Sequence, residues 1–97
     1  PREVQGWLNI EEHNLTSLEG LPSRIKDHIE LMNKPDLGLL RLLLVESLSE
    51  VEIIEEDYVL LRPVTDIINR YLEQGKAGLS ACATELIKAG YKGNARL

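Results

Sequence analysis

Ninety-seven residues make one domain with one core, which at this size buries roughly 60–65% of the surface the unfolded chain exposes. With 43% hydrophobic and 28% charged residues, the chain can bury enough apolar surface to offset the entropy of ordering, which excludes a disordered tail. A formal net charge of −5 and a pI near 5.0 repel phosphate and argue against nucleic acid as a partner.

Residues 1–20 carry the weakest pattern. Val4, Trp7 and Leu8 suggest one or two amphipathic turns, and Thr16 with Glu19 offers a capping box. This stretch reads as an N-terminal extension or extra helix ahead of a helical domain over 21–97. Across 22–32, Ile25, Ile29 and Met32 share one helical face, with His28 beside it and Asn33 placed to close the helix. Residues 36–48 are helical in pattern but nearly apolar all round, with Leu37, Leu39, Leu40, Leu42, Leu43, Leu44, Val45 and Leu48. Such a helix is central in a bundle or covered by a partner. Pro35 suits its first turn.

Residues 49–61 are ambiguous. Ser49 and Glu52 match a capping box, yet Val51-Glu52-Ile53 alternates like a strand, so the spacing favours a short helix only over 55–61. The clearest segment is 64–74, where Val64, Ile67, Ile68, Tyr71 and Leu72 form one stripe, Asp66 and Arg70 form an i, i+4 pair, and Gly75 supplies the stop. Leu79, Cys82, Ala83, Leu86 and Ile87 repeat that template up to Gly90, and Tyr91 is placed to fold back with its hydroxyl at the surface. No hairpin signal and no internal repeat of definite period stand out, although the two consecutive amphipathic helices resemble one unit of a solenoid. The chain reads as all-α, with five to six short helices.

Charge is unevenly spread. Residues 1–34 carry net −2, residues 35–61 net −6 with Arg41 as the sole base, and residues 62–97 net +3. One reading is a solvated surface with accidental clustering; the other is a patch that meets an opposite patch on another copy or a partner.

Taken in order, residues 37–45 (LGLLRLLLV), 51–61 (VEIIEEDYVLL), 66–75 (DIINRYLEQG) and 79–91 (LSACATELIKAGY) resemble a caspase recruitment domain of the death-fold superfamily. The resemblance covers residues 21–97. It implies a compact antiparallel bundle of six helices without enzymatic activity, which assembles with its own kind in apoptotic or innate-immune signalling. It also implies an acidic side formed by Glu46, Glu50, Glu55, Glu56 and Asp57 that meets a basic side formed by Arg24, Lys26, Arg62 and Arg70. Head-to-tail contact of that sort is heterologous and propagates when its rotation does not close.

The chemistry of catalysis is hard to assemble. Cys82 sits on an apolar stripe, where a small buried hydrophobe is the usual role, without the adjacent base and electropositive setting a nucleophile needs. His13 and His28 lack a CxxC, HExxH or carboxylate cluster to complete a metal site. Glu55-Glu56-Asp57 lacks the alternating oxygen ligands of a calcium loop. Asn14-Leu15-Thr16 is a glycosylation sequon in a chain with no secretory signal, and no glycine-rich phosphate loop occurs. The expectation is no enzyme, no cofactor and no metal. A lone cysteine fits a reducing, cytoplasmic setting, and the longest apolar stretch, broken by Arg41, is far short of the ~20 residues of a membrane span. Opening at Pro1 fits a piece cut from something longer. Two functions remain: a protein-interaction module working by self-association or by binding a protein partner, or a fragment of a helical-repeat scaffold.

Overall fold

Three strand segments of the chain share one local pattern, apolar-polar-apolar: Leu8-Asn9-Ile10, Ile29-Glu30-Leu31 and Val51-Glu52-Ile53. In a strand such a triad sends its outer residues to one face and its middle residue to the other. The computed structural model describes residues 3–10, 17–54 and 62–97, and there these triads form the centre of a parallel sheet. The strands are β1 (Glu3–Val4), β2 (Leu8–Ile10), β3 (Arg24–Ile25), β4 (His28–Met32) and β5 (Glu50–Ile54). Order in the larger sheet is β2-β4-β5, and β1 pairs with β3 in a second, two-stranded sheet.

Every pairing is parallel with nearly constant offset. Leu8 lies beside Ile29, 21 positions on, and Ile29 beside Val51, 22 positions on. Glu3 lies beside Arg24, and a single bridge carries Arg24 on to Glu46. The described strands therefore stack like the coils of a short solenoid: β1 with β2, then β3 with β4, then the bridged residue Glu46 with β5. Ile29, Leu31, Val51 and Ile53 point inward and are buried, while Glu30 and Glu52 point outward.

The all-α expectation is thus corrected: the fold is mixed α/β, and no helical bundle forms. Within 22–32 the elements are the strands β3 and β4, and the bend at Lys26 and Asp27 between them lets both Ile25 and Ile29 reach the core, a geometry that mimics helical spacing in sequence. Val51-Glu52-Ile53 takes its strand alternative. The expected helix at 55–61 lies outside the described residues.

The leucine-rich stretch is not an α-helix either. Leu40–Leu44 is a 3-10 turn on the return of the second coil, with the Leu42 amide donating to the Leu39 carbonyl (3.1 Å). The amides of Leu39 and Leu40 donate instead to the carbonyls of Asn94 (3.0 Å) and Arg96 (2.9 Å), so the C-terminal segment takes the donors an α-helix would use internally. Gly38 permits that contact, since a Cβ there would meet the Leu97 carbonyl at 2.6 Å. The stretch is apolar all round because solenoid core, C-terminal helices and C-terminal segment enclose it: Leu37, Leu39, Leu40, Leu42 and Leu43 are all buried. Asn94, also buried, holds the preceding loop by donating to the carbonyls of Lys34 and Leu37 (both 2.9 Å) and to Asn33 Oδ1 (2.8 Å).

Two helices match their sequence pattern. α1 (Arg62–Tyr71) buries Val64, Ile67 and Ile68, and α2 (Leu79–Lys88) buries Cys82 and Leu86. A 3-10 segment, Leu72–Gly78, joins them through a break at Gly75, whose φ of 56° suits glycine. α2 stops at Gly90 (φ 95°), with Gly90 N–H donating to Ile87 O and Tyr91 N–H to Leu86 O, a Schellman closure that folds Tyr91 against the core. Arg70 pairs with Glu85 of α2 (2.7 Å) rather than with Asp66, and the Tyr71 hydroxyl donates to the same carboxylate (2.9 Å), which raises the phenol's pKa.

α1 also ends the sheet. Asn69 Oδ1 accepts from the Val51 amide (2.7 Å), and Asn69 Nδ2 donates to the Val51 carbonyl (2.9 Å), so one carboxamide completes the ladder a further strand would have continued. Replacing Asn69 with alanine leaves both Val51 groups without those partners, and the expected loss is about 1–3 kcal/mol. A thermal melt of the N69A variant showing no drop in Tm would refute this role.

Candidate functional site

The outward face of β2, β4 and β5 is built by register. Because Leu8, Ile29 and Val51 lie side by side, the preceding residues Trp7, His28 and Glu50 form one outward row, and Asn9, Glu30 and Glu52 form the next. The indole of Trp7 stacks on His28, with centroids 5.5 Å apart and an interplanar angle of 2°. His28 Nδ1 lies 3.4 Å from Asp27, and Nε2 lies 3.9 Å from Glu30. Asn9 donates to Glu30 Oε2 at 2.8 Å. Trp7 is 54% exposed, so this face presents an aromatic surface beside the carboxylates.

Glu30 stands opposite Glu52, two like charges on adjacent strands. Sharing a hydrogen bond with Glu30 raises the Glu52 pKa above its ordinary 4.5, and desolvation and the nearby charges of Glu30 and Glu50 add to the rise. The short-strand ladder is arranged oppositely. There Glu3, Arg24 and Glu46 alternate in sign, Arg24 meets Glu46 at 3.0 Å, and Lys26 meets Glu3 at 3.5 Å.

At the edge of the acidic face a cleft of about 260 Å³ opens between β5 and α1. Glu50 and Glu52 line it from the sheet; Arg62, Thr65, Asp66 and Asn69 line it from the helix. Thr65 is only 7% exposed, and its hydroxyl has no hydrogen-bond partner among the described residues.

The residues expected to bind a partner are thus dispersed. Arg24 and Glu46 pair with each other, Lys26 with Glu3, and Arg70 with Glu85, while Glu50 and Arg62 meet at the cleft. Glu55, Glu56 and Asp57 lie outside the described residues, as do His13 and the sequon. Sequence reading missed Asn9, His28, Glu30, Glu52, Thr65 and Asp66. The signal that finds Asn9, Glu30 and Glu52 is the recurrence of the apolar-polar-apolar triad every 21 to 22 positions, and His28 directly precedes the second triad.

Among the described residues no group of three or more His, Cys, Asp or Glu side chains is placed to hold a metal, and no helix is long and apolar enough to cross a membrane. Compared with family models, curated proteins and solved structures, the chain matches none.

Cys82 is fully buried, and desolvation, with Glu85 adding, pushes its thiol up to about 11. A thiol held protonated is a poor nucleophile. The folded protein should therefore react with a disulfide reagent at neutral pH far more slowly than the urea-unfolded chain; equal rates would contradict the burial.

Glu52 makes stability depend on pH with a definite sign. Its raised folded pKa means the native state holds the proton more tightly than the unfolded chain does. The contribution is complete below 4.5 and is lost as pH rises through the folded value. Glu52→Gln retains a donor toward Glu30 without the charge. At neutral pH it should unfold at higher urea concentration than the native sequence, with a flatter pH dependence above 4.5; an unchanged profile would exclude the coupling.

Proposed function

We propose that the chain is a non-catalytic protein-interaction module, a short leucine-rich solenoid whose outward strand face binds a basic segment of a protein partner. The contrast between its two ladders carries this reading. On the short strands, Glu3, Arg24 and Glu46 neutralise one another across the coils. On the long strands, Glu30 faces Glu52 with Glu50 close by; His28 stands 3.9 Å from Glu30, and Arg62 borders the cleft beside Glu50 and Glu52. Like charges placed directly opposite on neighbouring strands destabilise a sheet by a few tenths of a kcal/mol to about 1 kcal/mol. Departure from local consistency in a structure that elsewhere follows it is characteristic of a working surface. Solenoids use their strand-lined faces in this manner, and Trp7 adds the exposed aromatic that interfaces favour.

Opposite charge speeds encounter and selects partners more than it deepens affinity. A short Lys-Gly repeat peptide should bind the protein, with an affinity that falls steeply as salt is raised. The Glu30→Gln, Glu52→Gln double variant should bind at least about tenfold more weakly, whereas Arg24→Ala, on the neutralised ladder, should bind as the native chain does. Titration calorimetry at low ionic strength decides: no binding, or full binding by the double variant, would end this reading.

A further inference from the structure

The larger sheet ends differently at its two edges. Beyond β5, the Asn69 carboxamide takes up both backbone groups of Val51. At the other edge β2 has β4 as its one neighbouring strand among the described residues. The ladder determines which groups that edge presents. Backbone groups of successive strand residues turn to opposite sides, so with those of Val51 facing α1, those of Glu52 face β4. The Asn33 amide, donating to the Ile54 carbonyl at 2.7 Å, follows the same alternation. Carried through the register, the backbone of Ile29 faces β5, that of Glu30 faces β2 and that of Leu8 faces β4. The amide and carbonyl of Asn9 therefore point outward at the edge, where no strand among the described residues pairs with them. The side chains there are incompletely covered as well. Leu8 and Ile10 are half-buried, whereas their ladder counterparts Ile29, Leu31, Val51 and Ile53 are 0–1% exposed. Trp7 stacks on His28 through one face of its indole and, at 54% exposure, keeps the opposite face open.

We infer that the free edge of β2 is a strand-addition site, which takes an extended segment of the protein partner in parallel orientation with basic and aliphatic side chains in alternation. The inference rests on the interaction reading above and specifies the conformation and spacing of the basic segment. Parallel addition repeats the pairing that every strand of this sheet already uses, and it gives the Asn9 amide and carbonyl the backbone partners an edge lacks. Aliphatic residues on the inward side cover Leu8 and Ile10, as the register does at every other step of the ladder. The outward residues are the basic ones. One lies over the open face of Trp7, where a cation is attracted to the ring. The next lies beside Asn9, two strand spacings or about 10 Å from the backbone of Glu30, a gap that a lysine and a glutamate side chain span together.

The test compares the peptide Lys-Val-Lys-Val-Lys-Val with a Lys-Gly repeat peptide of equal length and charge, by titration calorimetry and by the emission of Trp7, the chain's single tryptophan. The Lys-Val peptide should bind at least about tenfold more tightly and should change the Trp7 emission. In parallel addition the backbone groups of the inward valines face Asn9, and those of the lysines face away. N-methylation of the valine amides should therefore reduce the affinity to that of the Lys-Gly peptide, while N-methylation of the lysine amides should leave it within about twofold. Equal affinity of the two unmethylated peptides, unchanged emission, equal tolerance of the two methylation patterns, or a loss confined to the lysine-methylated peptide overturns strand addition. With the Lys-Gly peptide still bound, each of those results leaves the interaction reading standing. Failure of every peptide to bind overturns the two together.

Discussion

Pairing of β4 with β5 is the constraint on which core and surface both depend. One register places Ile29 beside Val51 and Leu31 beside Ile53 on the inside, and the same register forces His28 beside Glu50 and Glu30 beside Glu52 outside. The two consequences differ greatly in size. Four branched aliphatic side chains at 0–1% exposure contribute on the order of 1.5–3 kcal/mol each, whereas the opposed carboxylates cost at most about 1 kcal/mol. A slip of one residue would separate the carboxylates but turn the apolar row toward water. Burial therefore wins, and the opposed carboxylates persist, with Asn9 and His28 beside Glu30 and Arg62 at the cleft.

A parallel stack of three strands also needs an end. An exposed strand edge offers unpaired amides and carbonyls to any other chain, and proteins cover, twist or charge such edges. Here the covering is specific: the Asn69 carboxamide occupies the ladder position beyond Val51, and α1 buries Val64, Ile67 and Ile68 beneath it. The C-terminal segment completes the closure by accepting from Leu39 and Leu40 and by placing Asn94 under the Asn33 to Leu37 loop. Gly93 and Gly38 allow backbones to approach where a Cβ would collide with the carbonyls of Pro35 and Leu97. These contacts explain why an eight-residue span containing six leucines, Leu37 to Leu44, is not an α-helix: five of the leucines are buried against different neighbours, and the Leu39 and Leu40 amides donate to the C-terminal segment.

That same arrangement set the limits on what was legible in sequence. α1 and α2 were readable because the whole signal is local: a 3.6-residue stripe closed by Gly75 or Gly90, each with a positive φ. The fold of Tyr91 onto the core was readable for the same reason. Among the strands, β5 alone shows its alternation, at Val51-Glu52-Ile53. β2 and β4 offer three and five residues, and Ile25, Ile29 and Met32 happen to fall at helical intervals although a bend separates the first from the others. Only the recurrence at 21 and 22 positions distinguishes these triads, and the return segments between them share little: Leu18 and Leu21 in one coil against five buried leucines in the next. The resemblance to a helical bundle rests on four stretches, and in the leucine-dense one the helical pattern is overridden by hydrogen bonds to residues 94 and 96. The charged residues of the candidate site fared likewise. Counting by segment found the excess of acid around Glu50, but segment totals cannot tell Glu46, which Arg24 neutralises, from Glu52, which stands against Glu30.

The location of the cleft follows from the end of the sheet. A continuing strand would bury the side of Glu50 and Glu52 that faces onward; a helix, crossing at its own angle and bonding through a single asparagine, leaves a gap there. The residues exposed in that gap are set by helical geometry. With Asn69 fixed on Val51, Thr65 and Asp66 lie one turn earlier and Arg62 a further turn back, so all three border the gap, Thr65 on the buried side and Asp66 on the open side. Thr65 occupies a position flanked by Val64 and Ile67, where valine would pack as well and leave no polar atom to satisfy. Structural need accounts for Asn69 and for the apolar stripe of α1. It does not account for a hydroxyl at position 65, whose buried oxygen meets no partner among the described residues.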